Sequence, residues 1–140
     1  VIEYNCRMGD PETEVVFPRL KNHLMELFNS LMAGRLDAVR IETIPETAAT
    51  VMLVADGYPG DYRKGDEISI VTRREGSLYL HAGTRNTDGK VLTNGGRVMA
   101  ITSFGQSVAE AVGRSVEATA GVYFEGKYFR GDIGKDLEGI

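Results

Sequence analysis

From Arg35 onward, short β-favouring runs alternate with glycine-bearing turns, and this rhythm constrains the fold more than any other feature of the chain. The runs are residues 48–55, 67–72, 77–82, 91–93 and 97–104. Between them stand Asp56-Gly57-Tyr58-Pro59-Gly60-Asp61, Arg74-Glu75-Gly76, Asp88-Gly89 and Asn94-Gly95-Gly96. Short runs spaced by turn residues predict an antiparallel β barrel or sandwich. One main helix interrupts the series. Ser107-Val108-Ala109-Glu110 has the form of a capping box, in which Ser and Glu side chains satisfy free N–H groups at a helix start. Val108, Val112, Ser115, Val116 and Thr119 then mark one helical face, ending at Gly121. Residues 122–129 read as a closing hairpin that turns at Glu125-Gly126.

The first 34 residues have a different texture. Residues 1–4 read as a strand. Arg7-Met8-Gly9-Asp10-Pro11-Glu12 reads as a turn into a helix, with Asp10 as a cap and Pro11 at the first helical position. Pro18 ends that helix, because it lacks an N–H and clashes with the preceding turn. A second helix is expected over 18–33, where Leu20, Leu24, Leu27, Phe28 and Leu31 share a face and Gly34 supplies the stop. The expected organisation is therefore α+β and β-rich, with one unit at residues 1–34 and a second at 35–140.

The chain's 140 residues carry 16 Lys+Arg against 20 Asp+Glu, for a net charge of −4. That balance argues against nucleic-acid partners, which need a basic face. No apolar run is long enough to span a bilayer. The single cysteine, Cys6, rules out an internal disulfide and suits a reducing, cytoplasmic setting. Its alternation away from Glu3 and Asn5 places it toward the core as a small hydrophobe. The opening at Val1, directly in strand-like residues, is the first hint of a piece of a longer protein.

Several residues could carry chemistry. Alternate residues of a strand share a face, so Glu3, Asn5 and Arg7 would align a carboxylate, an amide and a guanidinium. The two oxygen donors suit Mg²⁺, and the guanidinium suits a phosphate or carboxylate. The same pattern is also what a solvated edge strand shows. Asp10 and Glu12 could orient a substrate or serve only the helix start. His81 ends a run and is either structural or substrate-facing. Arg97 follows Asn94-Gly95-Gly96, where Gly95 and Gly96 could form an anion-binding nest or an ordinary hairpin turn.

The stretch Val1-Ile2-Glu3-Tyr4-Asn5-Cys6-Arg7-Met8-Gly9-Asp10-Pro11-Glu12-Thr13-Glu14-Val15 resembles the signature segment of the glycinamide ribonucleotide synthetase (phosphoribosylamine–glycine ligase) family of ATP-grasp ligases. The resemblance continues through Gly57-Tyr58-Pro59-Gly60-Asp61-Tyr62, His81-Ala82-Gly83-Thr84, Thr93-Asn94-Gly95-Gly96-Arg97-Val98 and Asp132-Ile133-Gly134. Each motif is weak alone; together, in order, they are specific. Met8 departs from the Leu or Phe usual in the family, at conserved apolar volume. The resemblance implies that residues 1–34 are the last strand and helix of an ATP-grasp domain, and that residues 35–140 are a small "rudiment hybrid" C-terminal domain. It implies Glu3 and Asn5 as Mg²⁺ or Mn²⁺ ligands, Arg7 near the transferred phosphoryl group, and Asp10, Glu12, His81, Gly95, Gly96 and Arg97 toward substrate. The implied reaction joins glycine to 5-phosphoribosylamine through glycyl phosphate, consuming ATP and giving glycinamide ribonucleotide, ADP and phosphate. The phosphate-binding loops would lie upstream, so this piece alone is expected to be inactive.

A non-catalytic reading stands beside it, either a β-rich carrier domain or an interaction module. A carrier presents a lysine at a hairpin tip. Lys90 follows the Asp88-Gly89 turn but lacks the methionines that usually flank such a lysine.

Overall fold

The computed structural model describes residue 2 and residues 6–137. The expected strand at 1–4 lies outside the described residues, apart from Ile2. Among the described residues the chain forms three α-helices, α1 (Thr13–Val16), α2 (Leu24–Met32) and α3 (Val108–Thr119). Its strands are β1 (Thr47–Val54), β2 (Ser69–Ile70), β3 (Ser77–His81), β4 (Thr84–Thr87), β5 (Lys90–Thr93), β6 (Arg97–Gly105) and β7 (Val122–Tyr123). This is a mixed α/β, sheet-rich small domain.

β6 organises the fold. It lies between β1 and β3, antiparallel to both. Because it is covered on both faces, Val98, Met99, Ala100 and Ile101 are fully buried. Thr102 and Ser103 are buried too, and each finds a hydroxyl across the sheet. Thr102 pairs with Thr50 at 2.8 Å and Ser103 with Ser77 at 2.8 Å. Buried hydroxyls without partners would cost stability, so the neighbouring strands supply them. Met99 and Ile101 join Leu53, Ile68, Tyr79, Val122 and Phe124 in the core.

α3 packs against β1 and β6. Its cap forms largely as the sequence predicts. Ser107 Oγ accepts from Glu110 N at 3.2 Å, but the Glu110 carboxylate accepts from Gln106 N at 2.7 Å, so the return bond reaches one residue further back. The buried residues are Ala111, Ser115, Ala118 and Thr119, while Val108, Val112 and Val116 flank them. Small residues win this position because helix and sheet approach closely. Ser115 Oγ donates to Ala49 O at 2.8 Å, and a Cβ on Gly105 would stand 2.6 Å from Ala111 N.

Two ribbons complete the β structure. β4 pairs β5 across Asp88 and Gly89, at φ 51° and 79°. Positive φ at both central residues is the two-residue hairpin geometry that Asp-Gly favours. β2 pairs β7. The hairpin expected over 122–129 is corrected. Its turn forms, with Gly126 at φ 69°, but the limbs part: Val122 and Tyr123 pair with Ile70 and Ser69, while Tyr128 bridges Val54. The Lys127 ammonium fills the space between, donating to Thr119 O (2.9 Å) and Val122 O (2.6 Å) just past the end of α3. Burial lowers its pKa.

The helix expected over 18–33 is also shorter than its pattern. Phe17–Arg19 forms a 3-10 turn, Leu20 bridges Thr43, and α2 starts only at Leu24. Lys21 N donates to Glu42 O and Ile44 N to Arg19 O, so residues 19–21 are drawn into pairing instead of a helical turn. Gly34 ends the helix at φ 64°, as expected. Cys6 is exposed, not core-facing.

Candidate functional site

Where α1's leading segment meets the start of β6, the chain forms a cleft of about 540 Å³. Its walls include Asp10, Glu14, Tyr58, Tyr62, His81, Gly83, Gly96 and Arg97. Four of the residues picked out from the sequence therefore converge from three separate segments: Asp10, His81 and the adjacent pair Gly96 and Arg97.

A register shift makes this convergence possible. Leu53 faces Met99 across the β1–β6 ladder, but Val54 faces Arg97, leaving Val98 as an extra residue. Such a bulge re-aims the side chains beside it. Residues 97 and 102, five apart, would point to opposite faces of an unbroken strand. Here both reach the same segment. Arg97 Nη2 donates to Asp10 Oδ2 at 2.9 Å and Nη1 to Asp10 O at 3.1 Å, while Thr102 Oγ1 donates to Glu14 O at 3.0 Å.

The expectation that Asp10 caps a helix is corrected by the same bonds. Its carboxylate is held by Arg97, the residue before α1 is Glu12, and Glu12 makes no capping bond. Pro11 stands ahead of the helix. Glu12 is exposed, its carboxyl against Gly9, and it is not among the cleft walls.

Glycines set the back of the cleft. A Cβ on Gly83 would stand 2.6 Å from Gly95 Cα and from Arg97 O, and one on Gly96 would enter the Tyr58 ring. Of the amides that could form an anion nest at Asn94-Gly95-Gly96, the first two are taken internally. Asn94 N and Gly95 N both donate to Gly83 O, at 2.7 and 3.1 Å. The segment is not a hairpin turn, since it links β5 to β6 and those strands belong to different sheets.

His81 ends β3 and is exposed, with Nδ1 3.1 Å from Thr84 Oγ1. One carboxylate oxygen of Glu14 is buried with no hydrogen-bond partner among the described residues. Sequence reasoning missed Glu14, Tyr58 and Tyr62 as site residues. Nothing in the chain marks Glu14 out from the other acids of its segment; Tyr58 and Tyr62 lay inside a quoted motif without an assigned role. Arg7 is exposed, donates to the adjacent Met8 O at 3.0 Å and is not among the cleft walls. Glu3 and Asn5 lie outside the described residues. Among the described residues, no group of three or more His, Cys, Asp or Glu is placed to hold a metal ion.

Chemically, the cleft is rich in acceptors. The Arg97 fork is taken by Asp10 and the nearby 94–95 amides by Gly83 O, which leaves the Glu14 carboxylate, the His81 imidazole and the Tyr58 and Tyr62 hydroxyls on the walls. Such a wall suits a ligand bearing N–H or O–H groups better than a bare anion. Lys90, the carrier candidate, is not at its hairpin tip and is paired with Glu67 at 2.7 Å. No helix is long and apolar enough to cross a membrane among the described residues.

Residues 48–136 match the family described as "Phosphoribosylglycinamide synthetase, C domain". Curated relatives named phosphoribosylamine–glycine ligase match almost the whole chain. The Vibrio cholerae protein is 44% identical over 136 residues, and the Chlorobaculum tepidum protein 43% identical over 137. Each alignment covers 96% of this chain but 32% of the relative, so the chain spans about a third of their length. The crystal structure of phosphoribosylamine–glycine ligase from Thermotoga maritima superposes with a TM-score of 0.72 at 38% identity, over 94% of this chain and 32% of that one. The chain belongs to the phosphoribosylglycinamide synthetase C-domain family.

Proposed function

We propose that this chain is the C-terminal portion of a phosphoribosylamine–glycine ligase, and that it contributes one wall of that enzyme's active site. The observation that carries this is the near-complete match of the chain to about a third of each relative, through the same segments that build the cleft. The reaction is the ATP-dependent joining of glycine to 5-phosphoribosylamine in purine biosynthesis. Phosphorylation turns glycine's carboxylate into an acyl phosphate with a good leaving group, and the amine of phosphoribosylamine then displaces phosphate. A cytoplasmic location fits a chain with one cysteine.

Residues 1–34 are read as the end of the ATP-grasp domain, and 35–140 as a barrel-like C-terminal domain. The family match beginning at residue 48 supports that division, as does α2, none of whose residues is buried. Asp10, Glu12, His81, Gly95, Gly96 and Arg97 are the residues that the family resemblance points toward substrate. The shared cleft supports Asp10, His81, Gly96 and Arg97 in particular. Glu3 and Asn5 offer the hard oxygen donors that Mg²⁺ or Mn²⁺ takes, and Arg7 a cation for phosphoryl oxygens. When bound, the metal would offset charge on the phosphates.

The test is ADP release by the full-length enzyme, which should require glycine, ATP and phosphoribosylamine together. The isolated 140 residues should show no turnover. A full-length enzyme indifferent to glycine would refute the reading, and an active isolated chain would refute the division of labour.

A further inference from the structure

We infer that Arg97 is a positioning residue: through Asp10 it latches the segment carrying Arg7 onto β6, and it does not itself hold the substrate's phosphate. The inference rests on the ligase reading and deepens it.

Three observations point the same way. First, both terminal nitrogens of the guanidinium are used on one residue, at 2.9 Å to the Asp10 carboxylate and 3.1 Å to its carbonyl. A two-point hold fixes orientation as well as distance. Second, a phosphate entering this cleft would meet the carboxylates of Asp10 and Glu14, and the nearby Asn94 and Gly95 amides are spent on Gly83 O. Like charge, and donors already spent on internal oxygens, disfavour an anion there. Third, the latch has a companion. Thr102, five residues along the same strand, donates to Glu14 O at 3.0 Å. The segment is thus pinned at two points to the most buried strand of the molecule, and the β6 bulge brings both pins to one side.

Asp10 lies three residues after Arg7 and five after Asn5. A latch at Asp10 therefore limits where those groups can sit relative to the domain. Misplacing a reacting group by about 1 Å can cost on the order of a hundredfold in rate, so a positioning role appears in kcat rather than in the KM of one substrate.

The experiment compares Arg97→Ala, Arg97→Lys, Asp10→Ala and the Arg97→Ala/Asp10→Ala double variant in the full-length enzyme. Wild-type turnover with all three substrates tests the ligase reading separately. If the latch operates, each Ala variant lowers kcat about ten- to a hundredfold. The double variant is then no worse than the poorer single one, because both remove the same bond. KM for phosphoribosylamine stays within about twofold. Arg97→Lys recovers part of the rate, since an ammonium can still reach the Asp10 carboxylate. A second readout does not depend on activity: amide hydrogen exchange over residues 6–12 should speed up at least about tenfold in Arg97→Ala. A rise in KM for phosphoribosylamine of about tenfold or more in Arg97→Ala but not in Asp10→Ala would overturn the inference in favour of direct phosphate binding. Unchanged exchange over 6–12 with normal kcat would overturn it outright.

Discussion

The sheet with α3 and the arm formed by residues 6–44 are held by different forces. Every buried residue among those described lies between Ala49 and Phe124. The arm has none. It leaves Phe17, Met25, Phe28, Leu31 and Met32 well exposed, and α2 packs on the short turn Leu36–Ala38. α1 packs against β1 and β6, and polar bonds fix it there: the Arg97–Asp10 fork and the Thr102–Glu14 bond, with Asn22 and the Arg19–Ile44 backbone bond closing the arm on itself. Burial gives a region its own stability, whereas surface polar bonds mainly set its placement. The contrast fits the division proposed above at residues 34 and 35.

The largest effect should come from the core. Phe124 is 1% exposed, and Phe124→Ala should cost about 3–5 kcal/mol by denaturant unfolding. Phe28 is 48% exposed, and Phe28→Ala in the isolated chain should stay within about 0.5 kcal/mol. Equal losses would erase the distinction between the two regions. Next comes the back of the cleft. Gly96→Ala drives a methyl into the Tyr58 ring and should cost about 1–3 kcal/mol. The tyrosine belongs to an exposed turn, so a cost near zero would show that the turn can swing aside. Ser107→Ala removes the cap of α3 and should cost about 1 kcal/mol.

Arg97→Ala should be nearly silent in stability, about 0–1 kcal/mol, because its pair with Asp10 is solvent-exposed. A larger loss in unfolding would mean that the arm shares the core's cooperativity. The smallest effect is pH-dependent. Arg130 forks onto both oxygens of Asp132 at 2.9 Å and holds its carboxyl below the usual carboxylate range. A depressed carboxylate contributes stability that is present above its unfolded pKa of about 4 and is lost as pH falls through the lower folded value. Asp132→Asn should therefore melt slightly below wild type at neutral pH, with the difference disappearing in acid. A difference that grows in acid would reverse the sign.

The strands on either side of the core were legible because their apolar residues cluster between glycine turns, and α3 was legible from its cap. β4 was not, since Thr84-Arg85-Asn86-Thr87 carries no apolar residue and is a strand only because β5 pairs with it. The start of α2 was misread because Leu20 fits a helical stripe, while the pairing that removes it comes from residues 42–44, beyond any local pattern. The site was legible as residue types and not as a constellation. Asp10 and Arg97 were each singled out, but the ion pair between them depends on a one-residue bulge at Val98 that no periodicity announces.

The most direct test of this two-region account is amide hydrogen exchange measured on the isolated 140 residues and on the full-length enzyme. β6 should show the same strong protection in both, since its core is complete within the chain. The amides of α2 should be weakly protected in the isolated chain and, if the rest of the enzyme covers its apolar face as proposed, at least about a hundredfold better protected in the full enzyme. Equal protection of α2 in the two proteins would contradict the account.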